Sequence, residues 1–355
     1  MKLLVTGVCG FVGSTLVVEL KRRLEGVEII GVDNLSRPGS EANRGLLKKH
    51  GVRLVHGDVR LASDLESLPK TEWVIDAAAN PSVLAGVAGA TSSRQLLEHN
   101  LGGTMQLLEY CKHHAAGIIM LSTSRIYSAR RLSDLPVEVQ GLAFVPRFPA
   151  INEPGFSERG VAENFSTQFP LSLYGAAKLA SELLILEYGS AFDFPVQINR
   201  CGVLAGAGQF GKPDQGIFSF WIHSYCHKRP LKYIGFGGAG HQVRDCLHPA
   251  DLATLVATQL KCPERAGKTL NVSGGTASAT SLAQVSEWCR ARFGAHPIGS
   301  VAALRPYDVP WLVLDSTRAE AEWNWRPAIK LEAILEEIAR HAEAHPDWLE
   351  ISSDT

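Results

Sequence analysis

Met1-Lys-Leu-Leu-Val-Thr-Gly-Val-Cys-Gly-Phe-Val-Gly13 is the stretch that decides the fold. A short apolar strand, Leu3 to Thr6, runs into Gly7, Gly10 and Gly13, and an apolar helical pattern (Val12, Leu16, Val17, Leu20, Leu24) follows at once. Strand, glycine turn and helix in that order make a dinucleotide-binding unit. Gly7 permits the tight turn. Gly10 removes a side chain so that backbone can approach a pyrophosphate, and Gly13 lets the helix pack close to the strand. The pyrophosphate then sits on the free N–H groups and positive dipole end of the helix.

The second expected strand, Val27 to Val32, ends in Asp33, 20 residues past Gly13. That spacing suits a carboxylate that accepts hydrogen bonds from the adenosine ribose hydroxyls. A carboxylate there repels a 2′-phosphate, so the expected cofactor is NAD rather than NADP. Arg37, four residues on, is the residue that would hold such a phosphate.

Composition narrows the class. The chain has 355 residues, 45% hydrophobic and 20% charged, enough to bury one large core or two moderate ones. A formal net charge of −1 gives no electrostatic footprint for nucleic acid or an anionic membrane, so neither is an expected partner. The seven cysteines are scattered and none forms Cys-x-x-Cys, which argues against a disulfide framework or a metal site and fits a reducing cytoplasm. Cys9, inside the glycine turn, reads as a small space-filler rather than a nucleophile. No apolar run reaches transmembrane length, and the first one is too short for a signal peptide; a cytoplasmic protein is expected.

Beyond Asp33 the alternation continues. Helices are expected over 41–50, 61–68 and 92–114, and strands over 52–56, 73–77 and 118–122. Apolar strands alternating with helices mean an α/β fold: a Rossmann-type doubly wound parallel sheet, covered on both faces. Ligands in such sheets bind beyond the carboxyl ends of the strands, which points to Asp33, Asp58, Ala77–Ala79 and Ser122–Ser124. Between 128 and 173 the pattern breaks into a proline-rich stretch, expected to be a loop or lid beside the substrate. A helix opening at Tyr174 and a strand from Val196 to Cys201 follow. The expected division is a NAD-binding domain over 1–200, with the 128–173 insertion, and a smaller mixed substrate-binding cap over 201–355, some of whose segments return to the main sheet.

Tyr174-Gly-Ala-Ala-Lys178 puts two side chains on one helical face, one turn apart. An ammonium beside a phenol favours the phenolate and should bring the tyrosine down toward working pH. The same lysine is placed to bond the nicotinamide ribose. Ser122-Thr123-Ser124 offers a hydroxyl for the reacting oxygen of a substrate; the plainer role for such residues is capping.

Together these pieces resemble the extended short-chain dehydrogenase/reductase superfamily: Thr6-Gly7-x-x-Gly10-Phe11-x-Gly13, Asp33-Asn34, Gly57-Asp58-Val59, Asn100-Leu-Gly-Gly-Thr104, Ser122-Thr123 and Tyr174-x-x-x-Lys178. The resemblance implies Thr123, Tyr174 and Lys178 as the catalytic group. It implies a NAD site built from Gly7, Cys9, Gly10, Phe11, Val12 and Gly13, from Asp33, Asn34, Ser36 and Arg37, and from Asp58, Val59, Ala77, Ala78, Ala79, Asn100 and Ser122, with Tyr174 and Lys178. The motif Ile126-Tyr127-Ser128 departs from the family in replacing its glycine by Ser128.

Later motifs narrow the resemblance: Gly206-Ala-Gly-Gln209-Phe210, Asp214-Gln215-Gly216 and Gln242-Val-Arg244-Asp245-x-x-His248-x-x-Asp251. These are similar to nucleotide-sugar epimerases, most closely the CDP-paratose 2-epimerase branch, whose Thr-Asn-Lys-Val-Tyr corresponds to Thr123-Ser-Arg-Ile-Tyr127. Ser124, Arg125 and Val203 are departures from what such enzymes carry. The implied substrate is a nucleotide-diphosphate sugar, a CDP-sugar favoured, bound by Asn80, Ser124, Arg125, Arg200, Gln209 and Arg244. Arg244 offers a planar fork to a phosphate. His248 and Asp251 read as turn supports. The implied reaction is epimerisation through a transient keto-sugar. The alternatives are a nucleotide-sugar 4,6-dehydratase or another sugar-nucleotide 4-epimerase; the family's 4,6-dehydratases follow the catalytic threonine with Asp-Glu, so Ser124 and Arg125 disfavour elimination, and a NAD-binding scaffold or regulatory protein is the non-enzymatic alternative. Relatives pair through a helix bundle, so a homodimer or homotetramer is expected.

Overall fold

The computed structural model describes residues 1–87, 92–213 and 215–352. The first half follows the expected alternation: β1 (Lys2–Thr6), α1 (Phe11–Arg23), β2 (Glu28–Asp33), α2 (Asn43–Lys49), β3 (Arg53–His56), α3 (Ala62–Glu66), β4 (Trp73–Asp76), α4 (Ser93–Leu97), α5 (Gly103–His114) and β5 (Gly117–Thr123). One π-helical turn, Glu98–Gly102, joins α4 to α5. The next elements are α6 (Ala129–Ser133), β6 (Val137–Gln140), β7 (Ala143–Pro146), β8 (Phe156–Ser157), β9 (Gly160–Val161), α7 (Leu173–Phe192), β10 (Val196–Cys201) and β11 (Val203–Leu204). The remainder comprises α8 (Ile217–Cys226), β12 (Leu231–Ile234), β13 (Val243–Leu247), α9 (Pro249–Lys261), β14 (Lys268–Val272), β15 (Ala279–Ser281), α10 (Leu282–Phe293), β16 (Ile298–Val301), β17 (Trp311–Leu312), α11 (Thr317–Trp323), α12 (Leu331–Ala344) and α13 (Trp348–Ile351).

Seven strands form one parallel sheet in the order β14-β10-β5-β4-β1-β2-β3. The order reverses between β1 and β4, and the cleft opens there, at the carboxyl ends. Successive β1 side chains serve opposite layers: Leu3 and Val5 join one core with α1 and α9, Leu4 the other with α5. A second sheet, β11-β13-β15 with β17 on β13, lies beside the first. Among the described residues, no helix is long and apolar enough to cross a membrane.

The 128–173 segment departs from expectation. It is not a structureless lid: it holds α6 and two hairpins, β6–β7 and β8–β9, and none of its described residues lines the cleft. Its apolar side chains Leu132, Leu135, Val161 and Phe165 are buried against Val309, Leu312 and Leu314. Val161 donates to Val313 O, and Asp315 donates back to Val161 O. Strands of two and four residues are too short to leave a period in the sequence, and their prolines masked them. Asp214 of the Asp214-Gln215-Gly216 motif lies outside the described residues.

The C-terminal helices form a histidine-rich seam against α8. His223 is fully buried; its Nε2 lies 3.2 Å from His341 Nδ1, and His341 stacks on His345. Burial, together with neighbouring imidazoles, pushes His223 down to about 3 and His341 down to about 4. Unfolded histidines titrate near 6.5, so below that pH the unfolded chain binds more protons than the native one, and stability falls as pH falls. The denaturation midpoint is therefore expected to drop between pH 7 and pH 5, at a limiting rate of about 1.4 kcal/mol per pH unit per group. His223→Leu is expected to flatten that profile, read by denaturant titration; an unchanged slope would remove the pair as the cause.

Candidate active site

The cleft has a volume of about 880 Å³. Its floor is the glycine turn, where each glycine has a separate reason. Gly7 sits at φ +61°, and a Cβ on it would lie 2.8 Å from Ala78 Cα. A Cβ on Gly13 would overlap Gly7 O, so α1 reaches β1 only because Gly13 has none. A Cβ on Gly10 would meet only Gly7 O, at 3.1 Å; its other side faces the cleft. Gly10 also caps α1 without a side chain, leaving the helix start open to an anion. This cradle fits a dinucleotide pyrophosphate.

Asp33 lines the cleft at the end of β2 and is held by N–H groups of Cys9 and Leu35, both at 2.8 Å. Burial raises its pKa, and those N–H groups oppose the rise. Phe11, Val12, Asn34, Ser36, Val59, Ala77, Ala78, Ala79 and Ser122 also line the cleft. Arg37 lines it too, but donates to Gln215 Oε1 and Phe210 O, each at 2.7 Å, so it ties the cofactor half to the opposite wall. That wall is braced from behind: Trp348 stacks on Phe210 and donates to Gln209 O.

Several expected cofactor contacts lie outside the cleft. The Cys9 side chain packs into the core, where burial pushes its thiol up to about 12, as befits a space-filler. Asp58 turns to Arg60 and accepts from Asn34. Asn100, in the π turn, takes both polar groups of the Asn80 backbone: it accepts from Asn80 N at 2.9 Å and donates to Asn80 O at 3.0 Å. It shapes the loop that carries Asn80 into the cleft.

Thr123 ends β5, and Tyr174 is the second residue of α7, whose start is capped by Ser172. The two side chains stand side by side at the cleft wall, the Thr123 hydroxyl beside the Tyr174 phenol. Burial pushes Tyr174 up to about 12, opposed by Thr123 and by the charge of Arg125. This corrects the expectation that Lys178 brings the phenol toward neutral pH: Lys178 is 1% exposed and does not line the cleft. Desolvation of the phenol outweighs its neighbours.

Arg200 also leaves the expected substrate set. It faces α7 and donates to both oxygens of Glu182, at 2.7–3.1 Å, and to Tyr127 Oη and Glu163 O. Glu182 in turn accepts from Ser122 at 2.5 Å. This buried network locks β5 to α7, and so Thr123 to Tyr174. Arg244 does line the cleft, with its fork engaged by Val243 O, Asp308 and Val309 O. Gln209 donates to Leu204 O, while its buried Oε1 has no partner among the described residues. Ser124 and Arg125 line the cleft. His248 caps α9, and Asp251 accepts from Ala328 and Ile329 N–H groups, as turn supports do. Sequence reasoning missed Arg305, Tyr307 and Asp308, which form the far wall. The cue was Arg305-Pro-Tyr-Asp308, isolated charges between breakers in a stretch without period.

Comparison with known proteins agrees with this geometry. Residues 3–273 match the NAD dependent epimerase/dehydratase family, and the chain belongs to it. It is therefore an NAD-dependent enzyme of the nucleotide-sugar epimerase/dehydratase class. It is 30% identical to CDP-paratose 2-epimerase of Salmonella typhi, over 93% of this chain and 95% of that one. It is 26% identical to UDP-glucuronate 4-epimerase of Thermodesulfobacterium geofontis, over 93% and 92%. The crystal structure of UDP-glucuronic acid 4-epimerase from Bacillus cereus, in complex with UDP-glucuronic acid and NAD, superposes with a TM-score of 0.77 at 24% identity, covering 97% of this chain and 99% of that one.

Removing Glu182 strands the Arg200 charge. Glu182→Ala is expected to lower unfolding free energy by about 3–5 kcal/mol, and Glu182→Ala with Arg200→Met to recover most of it. Chemical denaturation of both variants checks this; a single variant as stable as the parent would show that the pair carries no such burden.

Proposed function

We propose that this chain epimerises a nucleotide-diphosphate sugar through a transient keto-sugar, most like a CDP-paratose 2-epimerase in substrate class. The observation that carries this reading is the placing of Thr123 and Tyr174 side by side on the cleft wall, between the glycine turn and the Arg244–Asp308 end. NAD, when bound on the glycine turn, supplies a hydride acceptor and returns the hydride, so no net redox change results. Asp33 would hold its adenosine ribose.

Tyr174 takes the proton of the sugar hydroxyl being oxidised and gives it back after the ring has turned over. Thr123 holds the same oxygen and relays the proton. A phenol held up by burial needs a nearby cation in order to act as a base, and the charge of Arg125 is the one that opposes the rise. Ser124 and Arg125 follow Thr123, and neither does the carboxylate chemistry of water elimination, which favours epimerisation over dehydration. The notably exposed Met105 on α5 and Leu183 on α7 offer a seat for a second copy of the chain.

Purified enzyme incubated with CDP-, UDP-, GDP- and dTDP-sugars is expected to yield an epimer from one series without net redox change; a dehydrated keto-sugar as the sole product would overturn the reading. Tyr174→Phe is expected to cut turnover by about two to four orders of magnitude while cofactor stays bound, checked by turnover assay and cofactor absorbance. Near-parental turnover would take Tyr174 out of the reaction.

A further inference from the structure

Among the described residues, the charges at the far wall of the cleft do not balance locally. Asp308 is the carboxylate of the far wall, and it is well used: Arg244 Nη2 lies 3.1 Å from one oxygen and Arg305 Nη2 3.6 Å from the other. Gln242 Nε2 adds a bond at 3.3 Å, and the Val309 N–H another at 3.0 Å. Arg244 spends its remaining bonds on Val243 O and Val309 O. Arg125 is different. It lines the cleft, and among the described residues its one side-chain bond is a long one, 3.4 Å to Tyr307 O. Among the described residues no carboxylate lies within ion-pair distance of it.

The backbone fixes where this cation stands. The Arg125 N–H donates to Thr123 Oγ1 at 3.1 Å, and its carbonyl packs on Gly175, where no Cβ fits. The residues on either side of these contacts are the reacting pair, Thr123 and Tyr174. Tyr307, at φ +58°, is held in the left-handed region with its carbonyl toward Arg125. Burial lowers the guanidinium's pKa, Asp308 opposes that and Arg305 adds to it. Buried cations are ordinarily paired, and a guanidinium with most of its donors unspent is shaped for two oxygens of one anion.

We infer that Arg125 receives an anionic oxygen group of the substrate at the reacting end of the cleft, supplied by the sugar-side phosphate or by a carboxylate on the sugar. This rests on the nucleotide-sugar reading and adds the partner of a cation that the protein leaves unmatched. It makes Arg125 a specificity-determining residue.

Titration calorimetry on the NAD-loaded protein tests it, with CDP, CDP-glucose, UDP, UDP-glucose and UDP-glucuronate as ligands. Arg125→Met is expected to weaken binding about tenfold to a hundredfold, and Arg125→Lys to restore part of the loss. An equal loss for the nucleoside diphosphates and neutral sugar nucleotides identifies the phosphate; a loss confined to UDP-glucuronate identifies a carboxylate. Unchanged thermal midpoints and cofactor absorbance show that both variants fold. Parental affinity for every ligand in both variants overturns the inference while leaving the epimerase reading intact. A wild-type protein that binds none of the five overturns the reading and the inference together.

Discussion

The close approach of α1 to β1 is the constraint on which the rest depends. The helix begins where a Cβ on Gly13 would occupy the Gly7 carbonyl, and the turn before it exists because Gly7 takes φ +61° against Ala78. A side chain at Gly7 presses the turn against the Ala77–Ala78 backbone, and one at Gly13 pushes α1 outward. That displacement would reach α9, which shares the α1 core, and would move Phe11 away from Phe210 and Trp348. A single steric fact thus sets the helix start, the covering layer and the wall of the cleft. Close packing makes it all-or-none, since interiors transmit a methyl-sized intrusion rather than absorb it.

A second constraint places the chemistry. Tyr174 and Thr123 come from different elements, and they stay side by side only while β5 and α7 keep their spacing. The ion pair of Glu182 with Arg200, joined by Ser122, fixes that spacing from inside. Such a pair adds little stability against an apolar alternative, but its geometry admits few arrangements. Arg200 was expected at the substrate; instead it serves the substrate site by holding its two halves in register.

Much of this was legible along the chain, and the reason is locality. Six of the seven strands of the sheet follow from alternating apolar strands and helices, and their observed ends fall within a residue or two of the expected ones; β14, at the edge, was not read. Gly7, Gly10, Gly13 and Asp33 were readable because their roles depend on spacing within one βαβ unit. Thr123 and Tyr174 were readable because each sits at an element end. What escaped was set by distant partners. Asn100 matches a motif, but its work on the Asn80 backbone depends on a π turn that no period announces. The hairpins of 128–173 owe their order to Val313 and Asp315, over a hundred residues away. Lys178 has the right spacing, yet burial rather than sequence distance decides what an ammonium does to a phenol.

Burial also explains why the substrate end carries more arginine than its carboxylates match. An enclosed cleft strengthens every charge interaction inside it, so an uncompensated cation there is costly until an anion arrives. Arg244 shows one solution: Asp308 and two carbonyls hold its fork, and burial with neighbouring guanidinium groups still lowers it to about 10. Arg125 shows the other, a cation presented beside the reacting pair with its donors largely unspent. The two arrangements do different physical work. A guanidinium already bonded on several sides gives shape to the wall and changes little when ligand enters. One that lacks a partner gains most when an anion binds, and under the proposed reading it would couple the energy of recognition to the position of the sugar relative to Thr123 and Tyr174. Binding energy drawn from a group that is not itself oxidised would then orient the atom that is.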